Sequence, residues 1–384
     1  MRKYSVLLVS ALAFAACADQ PNEPAVSNRS TPAPVYSVGG NQIRDSYIVV
    51  LNENANPRSV AAVAGVNPHF VYEAALNGFS AELNQGQLNA LQHNPNVAYI
   101  EPDQEFTADA TVSAASWGLD RIDQRNLPLS GTFTYTSTAT AVRAYVIDTG
   151  IQTSHPQFGG RASAVYDALG GNGQDCNGHG THVAGTIGGS TYGIARGAML
   201  RAVRVLNCSG SGATSGIIAA VDWVRTNGIK PAVANMSLGG GFSSSLNTAV
   251  NNLANSGIFI AVAAGNENQN ACNVSPASAS AAYTTAASTS TDAKASYSNW
   301  GSCVDGYAPG SSITSAWINS GTNTISGTSM ASPHVAGVAA LYKGNFGDAA
   351  SSTISSWINS NATANVITGN VTGTPNRLLY KASL

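Results

Sequence analysis

Charged residues are scarce in this sequence. Asp, Glu, Lys and Arg make up only 10% of its 384 residues, and the formal net charge at pH 7 is −2. Such a balance argues against nucleic-acid binding, which usually needs a basic patch or stripe. After residue 17, no apolar run approaches the roughly 18 to 20 residues that cross a membrane. We therefore expect no nucleic-acid partner and no membrane-embedded mature protein, while a hydrophobic share of 43% suits a packed core.

The first 17 residues are typical of an export signal. Arg2 and Lys3 are followed by an apolar stretch and small residues suited to cleavage. The segment Phe14-Ala-Ala-Cys17 also resembles a bacterial lipoprotein cleavage box, although Phe is atypical at its first position. We expect a secreted mature protein, and a precursor that is either free or lipid-anchored through Cys17. Repeated Pro and Gly predict a flexible linker over residues 18–42.

The remaining cysteines form an even set, which in an exported chain favours disulfide bonds over metal binding. Three pairings are open to them, and their spacing does not choose among these. The sequential pairing would close two loops of about 32 residues each. These cysteines are Cys176, Cys208, Cys272 and Cys303.

Residues 43–109 predict a small acidic domain. Their apolar pattern indicates strands at 45–51, 69–74, 78–83 and 97–100 and helices at 57–64 and 85–92. This β-α-β-β-α-β order is the ferredoxin-like plan. Residues 44–109 hold two basic and eight acidic residues, whereas residues 110–384 hold thirteen basic and ten acidic residues. Opposite net charges favour association of the two parts.

From about Trp117 onward, apolar strands alternate with helical stretches. This pattern predicts an α/β domain over residues 110–384, with a doubly wound, mostly parallel sheet. Functional sites in such sheets collect at the carboxyl ends of the strands. The predicted strands are 141–147, 198–206, 232–236 and 257–263, and the predicted helices are 179–187, 216–226, 244–256 and 332–343.

Three segments place reactive side chains at the ends of these elements. Asp148 ends the first strand, and His179 begins a helix between two glycines. Ser329 begins another helix, in which we place Pro333 in the first turn. A serine hydroxyl becomes a good nucleophile when a base takes its proton, and a buried carboxylate orients that base. The three residue types together indicate nucleophilic catalysis.

The motifs resemble those of subtilisin-like serine proteases of the proteinase K branch, in particular the aqualysin-type enzymes. The family order Asp, His, Ser is matched by Asp148, His179 and Ser329. The likeness spans about residues 115–384, and residues 45–105 resemble the family's inhibitory propeptide. Five further segments carry it: 117–124, 175–182, 233–240, 263–266 and 297–303.

The resemblance implies a role for each matched residue. Ser329 is expected to be the nucleophile, His179 the general acid/base and Asp148 its orienting partner. Asn266 is expected to form an oxyanion hole with the Ser329 N–H. The expected substrate-binding residues are two uncharged pocket walls, Ser237, Leu238, Gly239 and Ala263, Ala264, Gly265, and an edge strand, Gly210, Ser211, Gly212.

Several further expectations follow from the same resemblance. Uncharged walls imply broad specificity for protein and peptide substrates with apolar or aromatic P1 side chains. The propeptide is expected to inhibit its own enzyme until self-cleavage near Asp109-Ala110, leaving a monomeric endopeptidase. Calcium is the expected cofactor. One site would use Asp305 with the carbonyls of Ser280 and Ala282, and a second would use Asp120, Asp123 and Gln124.

Other interpretations are weaker. A zinc site at His179 and His182 lacks the glutamate of His-Glu-x-x-His. An α/β-hydrolase esterase would need a Gly-x-Ser-x-Gly elbow, but Ala331 replaces the last glycine. A non-catalytic relative would not need every matched position intact. We expect His182, His334 and Ser332 to be structural, and we assign no role to His155.

Overall fold

The computed structural model describes residues 31–37, 42–107, 111–112 and 116–384. The predicted signal at 1–17, with Cys17, and the predicted cleavage point at Asp109-Ala110 lie outside the described residues. Within the described part, no helix is long and apolar enough to cross a membrane.

The N-terminal domain has the predicted ferredoxin-like order, which is confirmed. Its antiparallel strands lie in the order β2-β3-β1-β4. Both helices begin at asparagines whose side-chain oxygens accept hydrogen bonds from backbone N–H groups of the first turn. The elements are β1 (Gln42–Leu51), α1 (Pro57–Val63), β2 (Phe70–Tyr72), β3 (Gly78–Glu82), α2 (Gln85–Gln92) and β4 (Val97–Thr107).

The segment 31–37 belongs to this domain, so the prediction of a flexible linker over 18–42 is wrong for these residues. Ala33 donates its N–H to the Gln92 carbonyl at 2.6 Å and is only 1% exposed. Ile100 of β4 donates to the Pro34 carbonyl at 2.9 Å and accepts from the Tyr36 N–H at 2.8 Å. Proline disrupts only the bonds that need its own N–H, and here the neighbouring residues donate instead.

The elements of the C-terminal domain follow in chain order. They are β5 (Thr111–Val112), α3 (Trp117–Asp123), β6 (Arg143–Asp148), β7 (Ala162–Asp167), α4 (His179–Gly188), β8 (Met199–Arg204), β9 (Ser211–Ala213), α5 (Thr214–Asn227), β10 (Ala232–Met236), β11 (Gly240–Gly241), α6 (Ser244–Asn255), β12 (Phe259–Ala263), β13 (Val274–Ser275), β14 (Tyr283–Ser288), β15 (Gly306–Pro309), β16 (Ile313–Trp317), β17 (Gly321–Ser326), α7 (Thr328–Phe346), α8 (Ser351–Asn361), β18 (Thr363–Ala364) and β19 (Arg377–Leu378).

The central sheet of this domain confirms the predicted doubly wound α/β fold. Its nine strands run in the order β18-β19-β15-β14-β12-β10-β6-β8-β7. All neighbouring pairs are parallel except β18 with β19. Strand order reverses beside β6. The next two strands of the chain, β7 and β8, lie on one side of β6, and β10 lies on the other. Ligand sites of open α/β sheets lie at such a switch point.

Helix α7 packs against the central sheet and is buried without a break from Thr328 to Leu341. The apolar pattern predicted a helix over 332–343, and the serine motif placed Ser329 at a helix start. The helix begins at Thr328, so Pro333 is its sixth residue and lies inside the helix, and its predicted place in the first turn is wrong. Small residues allow its close packing. A Cβ at Gly337 would lie 2.8 Å from the Ile194 Cβ, so only glycine fits there.

Strand β1 contributes to two apolar cores because it is apolar on both faces. Val49 and Leu51 face the helices of the N-terminal domain. Ile48 and Val50 alternate with them and join a cluster with α5 and α6 of the C-terminal domain. Successive side chains of a strand point to opposite faces, so a single strand serves both cores.

Acidic side chains of the N-terminal domain meet the first turns of two helices of the C-terminal domain. Glu101 accepts hydrogen bonds from the hydroxyls of Ser243 and Ser244, at the start of α6. Asp103 accepts from the Ser215 N–H at the start of α5, at 2.9 Å. A helix N-terminus carries partial positive charge and open N–H groups. Helix ends therefore receive two of the eight acidic side chains of this domain.

A buried ion pair joins α3 to the loop after β14. Arg121 is fully buried, and its guanidinium makes two bonds to the Asp292 carboxylate, at 2.7 and 2.9 Å. The same group donates to the Gln124 carbonyl at 2.6 Å. Removal of one partner would leave the other charge buried without compensation.

We predict that Arg121→Ala lowers the free energy of unfolding by about 3–5 kcal/mol, because it leaves the Asp292 carboxylate unpaired. Arg225→Ala, at an exposed position near the end of α5, should change it by about 0.5 kcal/mol or less. Urea unfolding in a Ser329→Ala background would measure both. Equal effects of the two substitutions would contradict the prediction.

Candidate active site

Asp148 and His179 meet at the switch point of the sheet. Asp148 is the last residue of β6, and His179 is the first residue of α4. The Asp148 Oδ1 lies 2.8 Å from the His179 Nδ1, and both side chains are buried. The Thr149 N–H donates to the same oxygen at 2.7 Å. The carboxylate therefore fixes the ring orientation and favours a proton on Nδ1.

Two glycines allow the close approach of α4 to this site. Gly178 has φ +115°, and a Cβ there would lie 2.3 Å from the Trp317 ring. At Gly180 a Cβ would lie 2.2 Å from the Gly150 carbonyl oxygen. Any larger residue at either position would push the imidazole away from Asp148.

Asp175 organises the loop that carries the imidazole. Its carboxylate accepts hydrogen bonds from the Asn177, Gly178 and Thr181 N–H groups, each at 2.9 Å. It also accepts from the Thr149 hydroxyl at 2.9 Å, next to Asp148. Asp175 opens the family motif at 175–182, but this role was not predicted from the sequence. An acid four residues before a helix-starting histidine is the signal that could have found it.

Ser329 is the second residue of α7 and is 2% exposed. Its hydroxyl donates to the Ser237 carbonyl at 3.2 Å. Ser237 directly follows β10, which pairs with β6, the strand that ends at Asp148. The three predicted catalytic residues thus lie at the same edge of the sheet, on neighbouring elements.

Asn266 lies against the start of the same helix. Its side-chain oxygen accepts from the Thr328 N–H at 2.8 Å and from the Thr328 hydroxyl at 3.0 Å. The hydroxyl in turn accepts from the Gly265 N–H at 3.0 Å. With the oxygen so held, the amide nitrogen of Asn266 has a defined direction beside Ser329.

The predicted pocket walls differ in their exposure. The Ser237 side chain is fully buried and donates to the Ser329 carbonyl at 2.7 Å. This side chain lies beneath the serine, and the assignment of Ser237 to a pocket wall stays a prediction. Leu238, Ala263 and Ala264 are also nearly or fully buried. A Cβ at Gly239 would meet nothing within 4 Å, so open space adjoins this wall.

The predicted edge strand pairs with the tail of the N-terminal domain. Strand β4 lies antiparallel to β9, with Glu105 opposite Ala213, Phe106 opposite Gly212 and Thr107 opposite Ser211. On its other side, the Gln104 side-chain amide donates to the Gly241 carbonyl at 3.1 Å. A few residues later, Thr111 pairs with Ser326, just before α7. Strands β4 and β5 therefore pair with two different elements of the C-terminal domain, β9 and β17.

Two disulfides have the sequential pairing among the three that were open. Cys176–Cys208 has a Cα–Cα distance of 4.9 Å, and Cys272–Cys303 one of 5.3 Å. The first joins the loop before His179 to the loop before Gly210 and β9. The Asn177 amide reinforces the link through a 3.0 Å bond to the Cys208 carbonyl.

The other histidines have structural partners. His182 bonds to the Ile313 carbonyl at 2.9 Å, and burial lowers its pKa to about 3. His334 bonds to the Met330 carbonyl at 2.8 Å, and burial lowers its pKa to about 4. His155 bonds to the Gly321 carbonyl at 2.9 Å. The Ser332 hydroxyl donates to Asn235 at 2.7 Å.

The first predicted calcium site is assembled in one place. Asp305, Ser280 and Ala282 line the same cavity of about 320 Å³. Burial raises the pKa of Asp305 to about 6. Within the described ranges no group of three His, Cys, Asp or Glu residues could hold a metal ion. A cation here would therefore draw on backbone carbonyls besides Asp305, a donor set that suits calcium.

The second predicted site does not fit a cation. The Lys381 ammonium lies 2.9 Å from the Asp123 carboxylate, which also accepts from the Thr134 N–H at 2.7 Å. Asp120 accepts from the Ser130 N–H at 3.1 Å, and the Gln124 side-chain oxygen accepts from the same group at 3.0 Å. A fixed positive charge and local donors occupy these oxygens, so the calcium prediction is wrong here.

Comparison with known proteins agrees with this geometry. Residues 140–378 match the model of the subtilase family, and residues 46–109 match that of the I9 peptidase inhibitors. The chain is 50% identical to an extracellular serine proteinase of Thermus sp. (strain Rt41A), over 97% of this chain and 98% of that protein. It is 47% identical to alkaline serine exoprotease A of Vibrio alginolyticus, over 97% and 74% of the two chains.

The fold has a close counterpart among solved structures. A crystal structure of a cold adapted subtilisin-like serine proteinase covers 71% of this chain and 99% of its own, with 53% identity and a TM-score of 0.68. Sequence motifs, sheet topology and these matches all agree. The chain belongs to the subtilase family, and it is a serine endopeptidase that carries its own N-terminal inhibitor domain.

Proposed function

We propose that this protein hydrolyses peptide bonds through an acyl-enzyme formed on Ser329. The observation that carries the proposal is the buried 2.8 Å contact between Asp148 and His179, at the sheet edge where α7 presents Ser329. His179 takes the Ser329 proton during attack and returns it to the leaving amine, and Asp148 stabilises the imidazolium. The Asn266 amide and the Ser329 N–H donate to the developing oxyanion.

Substrates bind as an added strand along Gly210, Ser211 and Gly212. The pairing of β9 with β4 supports this mode, because the chain's own tail already uses those backbone groups. The P1 side chain enters the space beside Gly239, between walls that carry no charge. We therefore propose broad specificity that favours apolar and aromatic P1 residues.

The protein is exported as a precursor with a signal at 1–17, a linker that begins at 18, an inhibitor domain to 109 and the enzyme from 110. The name of the Thermus relative supports secretion, and Cys17 is a candidate for lipidation of the discarded part. Thr107 pairs with Ser211 of β9, and Thr111 pairs with Ser326 just before α7. These pairings on opposite sides of the site support self-cleavage near Asp109-Ala110. The inhibitor then stays in the groove until it is degraded.

A single calcium ion at Asp305, with the carbonyls of Ser280 and Ala282, would supply structural charge compensation for the buried carboxylate. The cavity that these residues share supports this assignment. The ion takes no part in the reaction.

We predict that Ser329→Ala leaves the full-length precursor uncut, because self-cleavage needs the same nucleophile as substrate hydrolysis. Peptide hydrolysis should fall by roughly 10⁶-fold in kcat. Electrophoresis of the purified precursor measures the first effect, and a fluorophosphonate label mapped to Ser329 in the parent identifies the nucleophile. Normal maturation of the variant in isolation, or labelling of another residue, would refute the proposal.

We predict that Glu101→Ala weakens inhibition by the N-terminal domain about 10- to 100-fold, because the buried Ser243 hydroxyl and the half-buried Ser244 hydroxyl lose their acceptor. Glu82→Ala is the matched control, since Glu82 is exposed in the same domain. The lag between precursor cleavage and the appearance of peptide hydrolysis should shorten only for Glu101→Ala. The same lag in both variants would contradict the capping role.

We predict that calcium at 100 times its dissociation constant stabilises the mature enzyme by about 2.7 kcal/mol, and that Asp305→Asn abolishes this effect. Asp123→Asn should retain it, because Lys381 pairs with Asp123. The effect should weaken as the pH falls through about 6, where the Asp305 carboxyl takes up a proton. Thermal unfolding with calcium or with a chelator measures the stabilisation in each variant and at each pH. Loss of the stabilisation in Asp123→Asn alone would overturn the assignment of the site to Asp305.

A further inference from the structure

Pro333 leaves the nucleophile's backbone carbonyl without its helical partner. In a regular α-helix, the Ser329 carbonyl would accept from the N–H of residue 333. Proline has no such N–H. Ser329 is 2% exposed, so water does not replace the lost donor. A buried carbonyl without a partner is costly, and another donor is therefore required.

The Ser237 hydroxyl is that donor. It lies 2.7 Å from the Ser329 carbonyl oxygen, and the Asn235 side-chain nitrogen donates to the same hydroxyl at 2.9 Å. A hydroxyl has one hydrogen to give. Because Asn235 donates to the Ser237 oxygen, that hydrogen is directed to Ser329.

Asn235 also holds the next turn of the helix. Its side-chain oxygen accepts from the Ser332 hydroxyl at 2.7 Å. Asn235 lies in β10, where it pairs with Val146 of β6 and Ala261 of β12. Asn235, Ser237 and Ser332 are all 0% exposed. A central strand thus fixes the start of α7 at two points through one amide.

We propose that Asn235 is a positioning residue for the nucleophile, acting on Ser329 through Ser237 and Ser332. The inference rests on the proposed function of Ser329. By setting the direction of the Ser329 carbonyl, this network sets the rotation of the first turn of α7. That rotation aims both the Ser329 hydroxyl and its N–H. An amide is required because it donates on one side and accepts on the other.

The decisive variant is Asn235→Asp, which keeps the size and the bond to Ser332 but removes the donor to Ser237. The Ser237 hydrogen would then turn to the introduced carboxylate, away from Ser329. Asn247→Asp is the matched control. Asn247 is a buried residue of α6, outside the site, and its amide donates to the Ser278 hydroxyl at 2.8 Å.

Two readouts separate positioning from substrate binding. They are kcat and KM for a peptide, and the second-order rate of Ser329 labelling by a small fluorophosphonate that makes no strand pairing. We expect Asn235→Asp to lower kcat and the labelling rate about 10- to 100-fold, with KM within about twofold. A folded precursor that remains uncut would agree with this result. Asn247→Asp should leave all three values within about twofold of the parent.

Other outcomes overturn the proposal. Labelling of Asn235→Asp at the parent rate, or a raised KM with unchanged kcat, would show that the network does not aim the nucleophile. If Asn235→Asp does not fold by circular dichroism, Ser237→Ala removes the same donor and should give the same losses. Failure of both to fold would show a purely structural role. Absence of Ser329 labelling in the parent would instead refute the proposed function itself.

Discussion

The buried hydrogen bond between Asp148 and His179 is the contact on which the catalytic domain is organised. It requires a carboxylate at the end of a central strand and an imidazole at the start of a helix, with no room between them. Glycines at 178 and 180 provide that closeness, and Asp175 holds the loop against Thr149. None of these residues alone would identify a site, but together they fix the His179 imidazole in one orientation.

The inhibitor domain pairs with β9, the edge strand that we propose for substrate binding. Its last strand enters between β9 and β11, and its sheet covers α5 and α6. Its carboxylates meet helix N-termini, which offer directional donors that a diffuse charge attraction lacks. The net charges of the two parts predict their association, but only the structure reveals that helix ends receive the acids.

Much of the fold and the site could be predicted from the sequence, because strong local signals and family motifs coincide. The β-α-β-β-α-β order follows from alternating apolar strands, and the catalytic residues lie in distinctive motifs. The apolar pattern alone could not predict the first turn of α7, since the buried residues of this helix are mostly small and show no amphipathic stripe. The attachment of residues 31–37 depends on a free edge of β4, far along the chain. The pairing of Lys381 with Asp123 joins residues too distant for any local pattern.

The disulfide between Cys176 and Cys208 links the activity of the enzyme to the compartment in which the disulfide forms. It joins the loop before His179, the proposed general base, to the loop before β9, the proposed substrate strand. Thiols remain reduced inside most cells and oxidise after export. Before export, only non-covalent contacts therefore hold these two segments together. Formation of this disulfide after export completes the link between the two segments. The producing cell is thereby partly protected from its own protease.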